Sequence, residues 1–529
     1  MSTHVPGQPE PEYLGSETPA VTTGKGPNRR GSRRGGIVAA ASVAVVAAVG
    51  VGAYGVVSFM SGGSSPATAV PAGAVGYLSL DLDPSGAQKI EAFKIMRKFP
   101  ALKSELGGTD DLRRTVFEQI QKDGDCKDLS YADDVEPWIG NRIAVAAVPD
   151  GRETAPLVVL QVTDQAKAKA GVRALAECGD DAPVGISFVG DYALMAETQR
   201  QADAMAADAA EATLADSPAY TTAMERTGGS GIITMYASKD APQALVDAER
   251  QGLGAESGVS REQSRQLQKM LGSFEGAAGV VRFDGGAVEA EFSAAGLPGQ
   301  VSGAGGNSGV TELPMTTAAV FAMALPDGWM DQYLDVMKNS LPDGMSLERA
   351  FREGERATGL RLPEDLETLL GDGLTLSVDG KTDLRKLTES PDPSRIAAGI
   401  RIKGDPDKIM PVIRKLKRAA GPEAGMVKVR QGDDTVAVGL SRRYVKTLAG
   451  DGGLGSLVSF QDAVPDADKA AGVLYLNFDA GHGWADQLAD VLSESDPKVK
   501  SNIAPLDALG VSSWQDGDVQ HALLRLTTD

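Results

Sequence analysis

The side chains able to do chemistry are few and widely spaced. Histidines number three, His4, His482 and His521. His4 stands in a polar tail, and the other two are too far apart in sequence for a multi-histidine zinc site. No Gly-x-Ser-x-Gly elbow supports Ser-His-Asp catalysis. Gly380-Lys381-Thr382 copies the end of a phosphate-binding loop, but the required earlier glycine is Thr375, inside an expected strand. A hairpin turn is the better expectation there. Asp123, Asp125 and Asp128 begin like a calcium loop, then fail it at Lys127 and at Asp128 itself. Carboxylate pairs such as Asp81/Asp83 and Asp133/Asp134 have the residue type for glycoside hydrolysis. In so acidic a chain they read as solvated surface. Trp138, Trp329, Trp484 and Trp514 are too scattered for a carbohydrate platform, and Trp138 and Trp514 fall at apolar positions, so both are expected in the core. The expectation is therefore no catalytic, cofactor-binding or metal-binding residue.

Two cysteines remain, Cys126 and Cys178. In an oxidising compartment an even pair reads as a disulfide, worth roughly 4 kcal/mol for a loop of this length; two buried thiols are the alternative. The compartment depends on Gly36–Met60, an uncharged run preceded by Lys25, Arg29, Arg30, Arg33 and Arg34. It is long enough to span a bilayer, and the basic cluster predicts N-inside, C-outside. Such a run is too long for the apolar core of a signal peptide, although Ala67-Thr68-Ala69 offers a cleavage pattern. The formal charge is −20; residues 1–35 contribute +2, which leaves −22 outside. That balance excludes nucleic acid and electrostatic adhesion to anionic lipid. A hydrophobic content of 42% suffices for a real core.

The elements that follow recur in order. Residues 1–35 are a polar tail without apolar periodicity, expected to be disordered, and 61–70 are a linker. From Val75 come a strand, two helices, Asp134–Gly140, a strand Ile143–Val148, a turn at Asp150-Gly151, a strand Leu157–Val162 and a helix Gln165–Ala176. A hairpin turns at Gly190-Asp191, Thr198 caps a helix, and Ser260 with Gln263 opens another toward Leu271. A hairpin through Asp284-Gly285-Gly286 closes the set. After a Gly/Ser linker, 297–310, the order returns. Asp365–Gly371 matches Asp134–Gly140, Lys408–Ala419 matches Gln165–Ala176, Gly432-Asp433 matches Gly190-Asp191, and Ser441 matches Thr198. Gly510-Val511…Trp514 matches Gly279-Val280…Phe283. Such an ordered series points to internal duplication, with units at 71–296 and 311–529. The expected class is α+β, a transmembrane helix followed by a duplicated unit of largely antiparallel sheets with packed helices.

Tyr131-Ala-Asp-Asp-Val-Glu-Pro-Trp-Ile-Gly140, Gly190-Asp-Tyr-Ala-Leu194 and Ser217-Pro-Ala-Tyr220 before Gly231–Tyr236 carry a resemblance. The chain resembles the bacterial domain-of-unknown-function 3352 family. The resemblance implies an N-terminal anchor and an external region, and no activity or residue role. The functional expectation is a single-pass envelope protein, not an enzyme, that binds an envelope protein partner or serves a structural or regulatory role. A binding protein for a small or lipidic ligand held between two lobes is the alternative, and a hydrolase is the third.

Overall fold

Alternating apolar residues between glycine-containing turns make strands, and here they make many. The computed structural model describes residues 64–82, 86–99, 113–114, 117–118, 121, 129–151, 153–177, 184–229, 231–250, 272–297, 308–326, 328–340, 346–383, 392–450, 452–481, 484, 487 and 502–529. The tail at residues 1–35, the run Gly36–Met60, Cys126, Cys178, His4, His482, Asp83, the Asp123–Asp128 acids and the Ser260–Leu271 helix lie outside them. Among the described residues no helix is long and apolar enough to cross a membrane.

The first half carries β1 (Gly76–Asp81), β2 (Ile139–Asp150), β3 (Glu153–Val162), β4 (Gly185–Val189), β5 (Tyr192–Ala196), β6 (Ile233–Ser238), β7 (Gly276–Asp284) and β8 (Ala287–Ala295). The second carries β9 (Thr317–Ala324), β10 (Gly373–Asp379), β11 (Ala398–Lys403), β12 (Lys428–Gln431), β13 (Thr435–Gly439), β14 (Gly472–Asn477), β15 (Leu506–Asp516) and β16 (Val519–Thr528). All join one antiparallel sheet. Read inward from each edge, the order is 4-5-3-2-1-6-7-8 and 12-13-11-10-9-14-15-16. Adding eight to each strand of the first half gives the second. The halves meet where β8 pairs with β16 along nine residue pairs, Val519↔Ala295 to Thr527↔Ala287. The class is α+β, with several helices packed on this large antiparallel sheet.

Local chemistry repeats as well. Pro71 bridges Thr213, and Pro314 bridges Gly453. The Ser130 N–H donates to Asp134 Oδ2 at 2.7 Å, and the Arg361 N–H to Asp365 Oδ2 at 2.8 Å. The matched acids therefore do one job, accepting a backbone N–H four residues upstream. Thr198 and Ser441 each accept a helix N–H, from Gln201 and Tyr444. At Gly371 φ is +60°, and a Cβ there would stand 2.0 Å from the Lys403 carbonyl oxygen, so the glycine that ends the motif is required.

Helices cover both faces of the sheet in part. On one face α3 (Gln199–Glu211) and α4 (Pro218–Glu225) bury Met205 and Met224 in the first core. Their counterparts α10 (Arg442–Leu448) and α11 (Val458–Ala463) bury Leu448 and Phe460 in the second. On the other face α1 (Gly86–Met96) and α2 (Gln165–Glu177) cover strands of the first half. There α9 (Pro406–Ala419) covers β11 and β13. Between them come α5 (Ala241–Arg250), α6 (Trp329–Ser340), α7 (Leu347–Thr358) and α8 (Glu364–Leu370).

Candidate functional site: an apolar sheet face

The register of the sheet sets every side chain on one face or the other. One row of directly paired residues runs from edge to edge. It reads Val429, Val438, Ile400, Leu376, Phe321, Leu474, Val511 and Leu524, then crosses the seam to Ala290, Val281, Ile233, Leu80, Ile143, Leu160, Ala193 and Phe188. Every position is apolar. The next row toward the far strand ends includes Leu374, Met323, Gly472, Ser513, Ala522 and Phe292. The row on the other side holds Val378, Ala319, Leu476, Leu509, Leu526 and Val288. No charged residue stands in these rows.

Among the described residues helices cover the flanks of this face, Trp484 packs beside Ala319, and several side chains of the middle are exposed. Phe321 is 44% exposed, Leu376 48%, Leu474 37% and Phe292 42%. The opposite face shows the reverse. There Ser79, Thr234, Glu289, Thr375, Ser377 and Ser512 are buried. Over the centre of the sheet the covered face mixes these polar residues with the core residues Val320, Ala322, Val473 and Tyr475, while the apolar face is partly exposed. The buried polar groups are satisfied internally, Thr375 by the Ser308 carbonyl, Ser377 by the Tyr444 hydroxyl and Glu289 by two arginines, whereas the exposed apolar side chains have no such account.

Among the described residues, the candidates read from the sequence do not converge. Asp81 pairs with Arg142 at 2.9 Å. Asp134 serves its own backbone, and Asp133 is exposed. Lys381 and Thr382 lie in a turn closed by Asp379, at the start of the long connection from β10 to β11. His521 lies on the covered face, stacked on Trp514 with centroids 5.1 Å apart. Burial pulls its pKa down, the Glu291 and Asp516 carboxylates pull it up, and Arg226 pulls it down; the result is below the ordinary imidazole value.

That stack corrects the expectation of a core Trp514. Tyr236 pairs with Ala278, and Tyr475 pairs with Gly510. Gly510 therefore stands for Ala278, not Gly279, and Trp514 stands for Arg282, not Phe283. A slip of one residue moves the side chain to the opposite face. Trp138 is a core residue as expected, 2% exposed.

Asp479, Asp507 and Asp529 bring carboxylate oxygens within 4.8 Å of one another, the single such group among the described residues. Burial, then the Asp529 charge, push the Asp479 pKa up. For Asp507, burial pushes up, the Thr527 hydroxyl bond pulls down, and Asp529 and Asp462 push up further; the net shift is upward. Lys98, bonded to Thr528, offers a countercharge. A raised carboxylate pKa means that the folded state holds its proton more tightly than the unfolded state. Ionisation as pH rises through that value therefore costs stability. Asp507→Asn should raise the melting temperature at pH 7 and leave it unchanged near pH 3, where the wild-type carboxyl is already neutral; thermal unfolding at both pH values checks this.

A cavity of about 300 Å³ lies in the second half, lined by Leu325, Trp329, Glu367, Asp372, Asp405 and Lys408 among others. It is mainly polar, unlike the sheet face. Periodicity revealed the strands that carry the face, but not the face itself, because β14 (Gly-Val-Leu-Tyr-Leu-Asn) is apolar on both sides. Only the register separates the two.

Residues 37–181 match the family model described as protein of unknown function (DUF3352), which supports assigning the chain to that family. The matched span includes Tyr131–Gly140 and ends before Gly190–Leu194. No curated protein and no solved structure matches the chain.

Proposed function

We propose that this DUF3352-family chain is a non-enzymatic interaction protein of the cell envelope, which docks a partner on its apolar sheet face. Gly36–Met60 anchors it with residues 1–35 inside and the acidic region outside. The observation that carries this reading is the exposed apolar stretch at the middle of the sheet. Phe321, Leu376 and Leu474 adjoin one another in register and are exposed. A surface of this kind marks an interaction site.

Three further features fit. Ala67 and Ala69 are fully buried in the first core, which favours a retained anchor over cleavage after Ala69. Ser64, whose carbonyl accepts bonds from Arg142 and Tyr192, follows the run by four residues. That tether reaches about 14 Å at most, so the sheet works close to the membrane. The common strand order of the two halves supports a duplicated unit at 71–296 and 311–529. An external compartment is one in which the pair Cys126 and Cys178 is expected as a disulfide, with two thiols as the alternative.

Phe321→Asp combined with Leu474→Asp tests the docking face. Both side chains are substantially exposed, so the fold should persist with an unchanged circular dichroism spectrum. Crosslinking in intact cells should then recover the wild-type protein with its partner and the double variant without it. Equal recovery would remove the face from consideration. Recovery of a bound lipid in place of a protein would select the ligand-binding alternative.

A further inference from the structure

We infer that the second half of the chain carries a membrane-contacting surface, formed by α10, α11 and the Gly453 turn between them, which rests on the headgroups of an anionic phospholipid bilayer. The inference needs nothing on the apolar face of the sheet. It rests only on the anchor of the reading above.

The repeated units share charge unevenly. From Asp164 to Asp203 the first unit has four basic and seven acidic residues, and over the matched stretch, Asp405 to Lys446, the second has ten and five. The difference falls on particular places. Counted from the caps Thr198 and Ser441, Gln199 corresponds to Arg442 and Asp203 to Lys446. Counted along the edge strands, where Ile186 pairs with Met195 and Val429 with Val438, Gly185 and Ser187 correspond to Lys428 and Arg430.

These cations share one side of the fold. Val429 packs in the core under α9, so alternation turns Lys428 and Arg430 to the other face, where α10 packs on β12 and β13. Tyr444, Val445 and Leu448 are the buried side of α10, which leaves Arg442, Arg443 and Lys446 outward. Arg430, Arg442, Arg443 and Lys446 are exposed, and none has an ion-pair partner among the described residues. The acids of the stretch lie on other elements: Asp405 and Asp407 open α9, Glu423 follows it, and Asp433 and Asp434 turn the β12–β13 hairpin.

Apolar side chains border the cations. Met315 is 51% exposed and Val458 66%. Met315 lies beside Gly453, and Val458 opens α11. Counted from the bridges Pro71–Thr213 and Pro314–Gly453, the first unit has Ala72 and Pro218 at these places. Unpaired cations with exposed apolar tips beside them suit an anionic bilayer, whose headgroups meet the cations while the tips enter the interface.

The anchor serves the same face. Val280 of the first core and Val473 of the second are joined by the paired row Glu291, Leu523 and Ser512, so both cores lie on one side of the sheet. Ser64, the described residue nearest the anchor, is held there by Tyr192 of the first core. The net charge of −20 argues against anionic lipid only when charge is taken as evenly spread. Exposed charges more than about 8 Å apart are largely screened at physiological salt, so a bilayer responds to the patch that it touches.

The test uses the full chain in phosphatidylcholine nanodiscs made with or without phosphatidylglycerol, with a benzophenone-bearing residue at position 458. Lipid capture should be about fivefold higher with phosphatidylglycerol, and high salt should remove the difference. Arg442→Glu with Arg443→Glu and Lys446→Glu should abolish it without changing the circular dichroism spectrum, because all three side chains are exposed. A benzophenone at Ile90, exposed in the first half, should capture no lipid. Phe321→Asp with Leu474→Asp should leave capture at 458 unchanged, which separates this surface from the docking face. Equal capture from both discs, an unchanged preference in the triple variant, or capture of a second copy in place of lipid would overturn the surface. So would binding of inorganic polyphosphate by a chain that captures no lipid. A chain that fails to co-elute with the discs removes the anchor instead, and flotation with phosphatidylglycerol vesicles then reads the surface by itself: wild type should float and the triple variant should not, and equal flotation would overturn it.

Discussion

Glu289→Ala should destabilise the fold by about 3–5 kcal/mol, the usual cost of removing one partner from a buried charge network. Glu289 is 4% exposed and bridges two arginines. One oxygen meets Arg282 at 2.6 Å, from the first half, and the other meets Arg525, from the second. Arg282 also holds Glu291 at 2.6 Å and the Thr227 carbonyl at 2.7 Å; Arg525 also holds Asp284 at 3.1 Å and the Asp462 carbonyl at 2.9 Å. Removing Glu289 leaves two cations near one another with their remaining acids overloaded. Glu289→Gln keeps the shape and should cost less. Denaturant unfolding of Glu289→Ala, Arg525→Met and the double variant decides the case. The double variant should be markedly more stable than the sum of the singles allows, because Arg525 without Glu289 has lost its main reason to be buried. Additive losses would mean that the seam rests on its backbone pairing alone.

The fold was legible in the sequence wherever a local rule decided it. Thr198 and Ser441 cap helices because a hydroxyl before an apolar-periodic run satisfies a free N–H. Gly190-Asp191 turns a hairpin because Gly190 sits at φ +55°. What joins the two halves obeys no local rule. The pairing of Ala290 with Leu524 links residues far apart in the chain, and nothing near either one specifies the other. The apolar face suffers the same limit. Phe321, Leu474 and Phe292 look like ordinary strand residues until register places them on one face of the sheet. The mismatch at Trp514 has the same cause, since composition matched the two hairpins while parity did not. The seam charges were also hidden, because Glu289 and Arg525 lie in strands where alternation assigns charge to solvent.

Trp138→Leu should cost about 2–3 kcal/mol, and the way to restore the loss is written in the second half of the chain. Trp138 packs among Tyr131, Val135, Ala168 and Val172, and its Nε1 donates to the Asp134 carbonyl at 2.6 Å. Its indole lies directly on α2 at Gly171, where a Cβ would stand 2.2 Å from Nε1. The matched motif has Leu369 in place of Trp138. Counted from the acids that cap α2 and α9, Asp164 and Asp405, the residue at the place of Gly171 is Val412. A large residue and a small one in the first half thus correspond to two medium residues in the second. Gly171→Val alone should be strongly destabilising, because its side chain strikes the indole. Trp138→Leu with Gly171→Val should recover at least 1 kcal/mol relative to the sum of the singles, read as the coupling in a double-mutant cycle by denaturant unfolding. Coupling of that sign requires the two motifs to occupy equivalent positions against equivalent helices. Zero coupling would reduce their likeness to the capping role of Asp134 and Asp365, since that bond needs no shared packing.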